Sequence, residues 1–276
     1  MKAALLQLNA GDDPAVNLRR TTELIAQAAG QGAGFMLTPE VTNCVSQDRA
    51  HQTRVLQHEE DDITLAGLRK AAIQYGVWLS IGSLALKTHD PDGRFANRSF
   101  LIDPAGQIVA RYDKIHMFDV TVSETETYRE SAGYRPGERA VVADTSFAKI
   151  GLSICYDVRF AYLYRALAQV GAAVLLVPSA FSPVTGAAHW EPLLRARAIE
   201  TGSYVLASAQ TGTHAAQAGK PRKTYGHSMA ISPWGEVLLD LGTEPGIGLV
   251  DLDLRSVAQS RKRIAALSHD RPFEGP

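Results

Sequence analysis

Cys155, Glu40 and Lys114 are residues whose types could carry covalent chemistry together. A carboxylate takes a thiol proton, the sulfur attacks a carbonyl carbon, and an ammonium stabilises the oxyanion, which is acyl transfer. Each of the three follows an apolar run. Cys155 follows Ile150-Gly151-Leu152-Ser153-Ile154, Glu40 follows Phe35-Met36-Leu37 through Thr38-Pro39, and Lys114 follows Ile108–Tyr112. Open α/β sheets place their sites just past strand carboxyl ends, where all three would lie. A helical pattern begins after Cys155, so free backbone N–H groups and the local field are expected to depress its thiol pKa. Taken singly, the same residues also read as a buried structural cysteine, a loop carboxylate and a surface lysine.

The elements that must hold them alternate. Ala3–Leu8 reads as a strand, and Asp13-Pro14 as the cap and first position of a helix running past Leu18, Leu24, Ile25 and Ala28. Phe35–Leu37, Val77–Ile81, Ile150–Ile154, Ala173–Val177, Tyr204–Ala209 and Gly248–Leu252 read as strands. Ile63–Tyr75, Ala161–Val170, His189–Thr201 and Leu254–Ile264 read as helices. Asp103-Pro104-Ala105-Gly106 and Ser232-Pro233-Trp234-Gly235-Glu236 join hairpins. Hairpins mixed with crossover helices imply one α/β domain over residues 1–276, with mixed rather than purely parallel sheets.

Composition narrows the function classes. The chain has 276 residues, 45% of them apolar, enough for a sizeable core. A net charge of -1 with interspersed signs offers no basic stripe for nucleic acid and no polybasic segment for a membrane. There is no apolar run of about eighteen residues, and Met1–Asn9 is too short an apolar stretch for a signal peptide. With two cysteines, Cys44 and Cys155, a cytoplasmic protein without a disulfide is expected. His116 and His227 lack ligand partners at metal-binding spacing, and Gly30-Gln31-Gly32-Ala33-Gly34 follows a helix rather than a strand. No metal and no cofactor is expected. His189 could serve a papain-like thiol or pack at a helix start.

Three segments resemble the motifs of the nitrilase superfamily of carbon–nitrogen hydrolases. They are Thr38-Pro39-Glu40, Tyr112-Asp113-Lys114-Ile115-His116-Met117-Phe118-Asp119 and Gly151-Leu152-Ser153-Ile154-Cys155-Tyr156-Asp157-Val158-Arg159-Phe160. The resemblance spans nearly the whole chain and implies an αββα sandwich. It carries the general base onto Glu40, the oxyanion lysine onto Lys114 and the nucleophile onto Cys155. A second glutamate, orienting the lysine and the substrate, falls on Glu130. Pro178-Ser179-Ala180-Phe181, Thr185–Glu191, Leu193–Thr201 and Thr224–Ser228 are similar to the amidase branch, nearer its deaminated glutathione amidase family than its omega-amidase family.

The implied reaction is hydrolysis of a carboxamide C–N bond through a cysteine thioester, releasing ammonia, on a 2-oxo acid amide such as deaminated glutathione. The alternatives are omega-amidase action on 2-oxoglutaramate or 2-oxosuccinamate, and a non-catalytic binding scaffold. These small-molecule substrates carry a carboxylate. Arg159, four residues after Cys155, is expected to read it, with Tyr156, Phe181 and Thr185 completing the substrate contacts. The resemblance also implies a homodimer or higher oligomer. The tail at 265–276, with Arg271-Pro272-Phe273, and the stripe Leu163, Tyr164 and Leu167 are the expected interface. Val41-Thr42-Asn43-Cys44-Val45 departs from the family wording. The Ala215–Arg222 stretch reads as a surface loop without a function.

Overall fold

Strand β1 (Lys2–Gln7) shows how the layers arise. Successive strand side chains take opposite faces. Ala3 and Leu5 enter a core shared with Phe35, Leu37, Leu152 and Leu176, while Ala4 and Leu6 enter another with Ile25, Leu68 and Ala72. One face therefore meets a second sheet and the other meets helices. This computed structural model describes residues 1–123 and 126–275.

The first half continues with α1 (Pro14–Gly30), β2 (Phe35–Leu37), α2 (Arg49–Val55), α3 (Ile63–Tyr75), β3 (Trp78–Leu86), β4 (Ala96–Ile102) and β5 (Ile108–Asp113). A hairpin of β6 (Asp119–Ser123) and β7 (Glu126–Arg129) follows. Then come β8 (Val141–Asp144), β9 (Lys149–Leu152), α4 (Ala161–Gln169), β10 (Val174–Leu176), α5 (Pro183–Thr201) and β11 (Tyr204–Ala207). The chain closes with β12 (Thr211–Thr213), β13 (Lys223–Tyr225), β14 (Met229–Ile231), β15 (Val237–Asp240), β16 (Gly246–Asp251) and α6 (Arg255–Arg263).

Two six-stranded sheets result, ordered β16-β1-β2-β3-β4-β5 and β15-β14-β11-β10-β9-β8. Each has three parallel strands at its centre, β1-β2-β3 and β9-β10-β11, flanked by antiparallel ones. Helices α1 and α3 cover the first sheet, and α4 and α5 the second. The layers are α, β, β, α, with mixed sheets as expected. Local signals set the edges. Asp13 accepts from the N–H groups of Ala15 and Val16 to start α1, Asp62 accepts from Leu65 to start α3, and Gly76 ends α3 at φ 63°.

Gly82 in β3 is where the sheets touch. A Cβ there would lie 1.8 Å from the Thr38 carbonyl oxygen and 2.4 Å from Pro178 Cβ. Only glycine permits the Thr38–Glu40 turn of one sheet to meet the Pro178 strand end of the other.

Several expectations change. Helix α5 begins at Pro183 rather than His189 and carries Pro192 inside it. The turn after Cys155 is a 3-10 turn, Cys155–Arg159, before α4. Leu163, Tyr164 and Leu167 face the core at 3%, 0% and 1% exposure, so they offer no interface. Periodicity marks a buried face without saying what buries it, and here the second sheet does. The tail docks through Asp270, which pairs with Arg165 and accepts from Gln169, and then leaves Phe273 91% exposed. Pro276 lies outside the described residues.

Candidate active site

Glu40, Lys114 and Cys155 converge at the strand ends where the two sheets meet. Cys155 stands at φ 51°, a left-handed conformation that L residues with side chains seldom adopt, and its N–H donates to Pro178 O at 2.9 Å. Val41, directly after Glu40, stands at φ 49°, rarer still for a β-branched residue. Backbone strain of this kind persists where surrounding structure over-determines it. For Val41 that structure is Ser83 Oγ, which accepts its N–H at 2.8 Å. For the Cys155 turn it is Asp157. This fully buried carboxylate accepts from Ile154 N at 2.8 Å, Tyr112 Oη at 2.6 Å and His116 N at 3.0 Å, tying the cysteine turn to the segment that carries Lys114.

The charged groups interlock. Lys114 Nζ donates to Glu40 Oε1 at 2.9 Å and to Glu130 at 2.9 and 2.8 Å, with the lysine only 2% exposed. Asn97 Nδ2 donates to Glu40 Oε1 at 2.9 Å, and the Ala180 N–H to Glu40 Oε2 at 2.9 Å. Phe118 N donates to Glu130 Oε2 at 2.6 Å.

These contacts decide who carries charge. Burial pushes the Glu40 carboxyl up, but Lys114 and then Arg222 outweigh it and hold the group below the usual carboxylate value. Burial pulls Lys114 toward neutrality, but Glu130 and Glu40 hold its pKa well above that of a free lysine. Burial raises the Cys155 thiol far above its free value. The neighbouring Glu40 charge raises it further, and Lys114 and the Ala180 N–H pull it back less. The expected depressed thiol pKa is therefore overturned, because burial and an adjacent carboxylate outweigh the turn's field. The resting set is a neutral thiol against a carboxylate and an ammonium, which suits proton transfer to Glu40 during attack.

The cleft above them is about 460 Å³, the size of a small-molecule site. Tyr156 and Phe181 line it, as do Glu130, Cys44, Asn97, Arg49, Arg129 and Arg222. Arg159 and Thr185 do not. Arg159 lies over the rings of Tyr156 and Phe181, 5.8 and 5.6 Å from their centroids, and donates to His189 Nδ1 at 3.2 Å. Over four residues a 3-10 turn and an α-helix differ by about 80° in direction, so the side chain swings off the expected face. Thr185 turns back to Ser182 O at 3.5 Å. His189, exposed and engaged by Arg159, lines no part of the cleft. Burial pushes Cys44 up to about 12, so that thiol is inert wall. Sequence reasoning missed Asn97 and Arg222, which stand inside or beside ordinary strand patterns.

A second surface cleft of equal volume is lined by ion-paired residues such as Arg98 and Glu59 and has no cysteine in its lining. His58, Glu60 and His89 cluster at its edge with ligand atoms within 4.8 Å. The two imidazoles stack at 4.3 Å with 5° between planes, so one ion cannot lie in both ring planes.

A thiol, its carboxylate partner and an ammonium at the seam of an αββα sandwich define a cysteine-dependent hydrolase. The carbon–nitrogen hydrolase family model matches residues 2–262, and the chain belongs to that family. It is 38% identical to a deaminated glutathione amidase of Yersinia enterocolitica, covering 97% of this chain and 92% of that one. It is 38% identical to the Homo sapiens deaminated glutathione amidase, covering 98% and 82%. The C. elegans NitFhit protein superposes with a TM-score of 0.89 at 33% identity, covering 98% of this chain and 65% of the longer NitFhit chain. An amidase from Nesterenkonia sp. AN1, crystallised with acrylamide added to its active-site cysteine, superposes at 0.77 with 28% identity, covering 96% and 98%. The protein is a cysteine-dependent amidohydrolase.

Proposed function

We propose that this protein hydrolyses the amide of a 2-oxo acid, with deaminated glutathione as its substrate, through a thioester on Cys155. The observation that carries the reading is the buried contact set of Glu40, Lys114 and Cys155 opening into one small-molecule cleft. The names of the relatives supply the acyl group. Glu40 takes the thiol proton as Sγ bonds to the amide carbon, and Lys114 with the Tyr156 N–H holds the oxyanion. Glu40 returns the proton to the departing nitrogen, the C–N bond breaks, and an amine leaves. That amine is ammonia from a primary amide and a dipeptide from deaminated glutathione. Water then gives a proton to Glu40 as it attacks the thioester, and the released sulfur takes that proton back. Glu130 holds Lys114, and Asn97 holds Glu40.

The test is a panel of deaminated glutathione, 2-oxoglutaramate and 2-oxosuccinamate, reading both the 2-oxo acid and the amine, with wild type and Cys155→Ala. The highest kcat/KM is expected on deaminated glutathione, with turnover lost in the variant. A preference for 2-oxoglutaramate would make the protein an omega-amidase. No turnover of any amide would leave a scaffold.

The reading extends to a cytoplasmic homodimer. Two unpaired cysteines support a reducing compartment, and the exposed Phe273 of the tail supports a partner that covers it. Light scattering that finds a stable monomer at micromolar concentration would contradict the dimer.

A further inference from the structure

Asn97 reaches Glu40, Lys114 and Glu130 alike. It stands in β4 opposite Ala85 of β3 and is only 2% exposed. Its carbonyl accepts the Lys114 N–H at 2.9 Å. Its Nδ2 donates to Glu40 Oε1 at 2.9 Å and to Glu130 Oε1 at 3.4 Å. Lys114 Nζ donates to the same two oxygens, each at 2.9 Å. Two nitrogens and two carboxylate oxygens therefore alternate around a closed ring, in which Asn97 is the neutral donor.

The amide has one orientation that fits. Nδ2 faces two carboxylate oxygens, and turning the amide over would aim its carbonyl at both anions. This orientation leaves Oδ1 buried without a partner among the described residues. A buried acceptor left unmet is destabilising, and a leucine of similar shape would avoid that cost. Packing therefore does not explain an asparagine here. What the amide adds is a second donor between two like charges that share one lysine.

Glu40 shows what that donor does. A carboxylate offers about four lone-pair sites. Lys114 and Asn97 donate to Oε1, and the Ala180 N–H donates to Oε2. A site on Oε2 remains, and the Cys155 thiol is a neighbouring donor. Removing Asn97 opens a site on Oε1 as well, and the carboxylate loses one of the three N–H groups that fix its rotation.

We propose that Asn97 is a positioning residue for the reaction at Cys155, its amide closing the ring with Glu40, Lys114 and Glu130 and aiming the Glu40 carboxylate at the thiol. This rests on the functional reading above, in which Glu40 is the base. The titratable and charged groups around Glu40 are Lys114, Arg222, Glu130, Cys155 and Tyr134. Lys114 and Arg222 favour the ionised carboxylate, and the thiol donates to it. The Asn97 N–H acts in the same direction, so without it Glu40 keeps its proton to higher pH. The donor acts on the base rather than on the substrate, and its loss belongs mainly in kcat.

The experiment uses Asn97→Leu, which keeps the shape and removes the donor, and Asn97→Asp, which keeps the shape and adds a third carboxylate. Two pH profiles are taken for each protein, from about pH 5 to about pH 9. One is kcat/KM on deaminated glutathione by cysteinylglycine release. The other is the rate at which iodoacetamide alkylates Cys155, read on its peptide by mass spectrometry, which needs no substrate. Circular dichroism checks folding at each pH. Wild type should stay level down to the acid end, since Glu40 is held below the usual carboxylate value. On the plateau Asn97→Leu should lose about 10- to 100-fold in both rates, with KM little changed. Its acid limb should move up by about 1 to 2 pH units, into the range scanned. Asn97→Asp should lose more, with a limb higher still, as like charges in one site require. Level profiles in both variants, with losses equal at every pH, would make Asn97 a packing residue and overturn the proposal. So would Asn97→Asp matching wild type, or failure of both variants to fold. Wild type that cleaves no deaminated glutathione, with alkylation limbs that still move in the variants, refutes the substrate and keeps the positioning role. Normal wild-type turnover with unmoved limbs refutes the positioning role and keeps the amidase.

Discussion

Replacing Gly82 by alanine tests whether the sheet seam sets the catalytic geometry. The new Cβ would stand 1.8 Å from Thr38 O and 2.4 Å from Pro178 Cβ. Ordinary contact for such atoms is about 3.5 Å, so the two strand ends must give by roughly 1.1 to 1.7 Å. Neither neighbour is a flexible side-chain tip. Thr38 O is backbone two residues before Glu40, and Pro178 O holds the Cys155 N–H. Overpacking costs about 1–3 kcal/mol in a core, and a displacement near 1 Å at a catalytic group can cost about 100-fold in rate. Gly82→Ala should therefore lose about 3 kcal/mol in urea unfolding, and its folded fraction about 100-fold in kcat/KM. Gly30→Ala is the control, since a Cβ there meets nothing within 4 Å and ends a helix. It should gain up to about 1 kcal/mol and keep full activity. Gly82→Ala with an unchanged unfolding midpoint and activity within about threefold would refute the argument.

Two further perturbations follow from buried polar groups. Asp157→Asn removes the charge shared by the Ile154 N–H, the Tyr112 O–H, and the backbone N–H and ring Nδ1 of His116, with side chain fully buried, and should cost about 3 kcal/mol in urea unfolding; a loss below about 1 kcal/mol would remove Asp157 as the anchor of the cysteine turn. His214, held between Ala10 O and Thr224 Oγ1, has its pKa pushed down to about 4 by burial, so the folded state keeps it neutral where the unfolded chain protonates it. Stability from this group is thus present above the unfolded value of 6.5 and is lost as pH falls from there toward 4. The stability difference between wild type and His214→Asn should shrink by about 3 kcal/mol from pH 7 to pH 4; a constant difference would show that His214 titrates normally.

Much of this was legible in the sequence because the signals were local. Asp13-Pro14 and Asp62 with Gly76 announce α1 and α3 through capping chemistry alone. Glu40, Lys114 and Cys155 all follow apolar runs, and the resemblance of the motifs around them gave them their expected roles. What escaped depends on contacts distant in sequence. Asn97 sits in β4 and reaches Glu40 only because the chain returns there, with nothing in Ala96-Asn97-Arg98 to mark it. Arg222 reaches Ala180 O, and Arg159 reaches His189, only through the fold. The thiol's raised pKa required knowing how deeply it is buried and which charge lies beside it. The hairpin of β6 and β7 is too short for its alternation to stand out, although it leads into Glu130.

The central claim is that Cys155 carries the acyl group. Enzyme in excess over deaminated glutathione is quenched in acid at intervals through a single turnover, digested, and mapped by mass spectrometry. The account expects the peptide containing Cys155, and not that containing Cys44, to gain and then lose the mass of a 2-oxoglutaryl group as cysteinylglycine is released. Release of cysteinylglycine with Cys155 unmodified throughout, or with the acyl group on another residue, would contradict it.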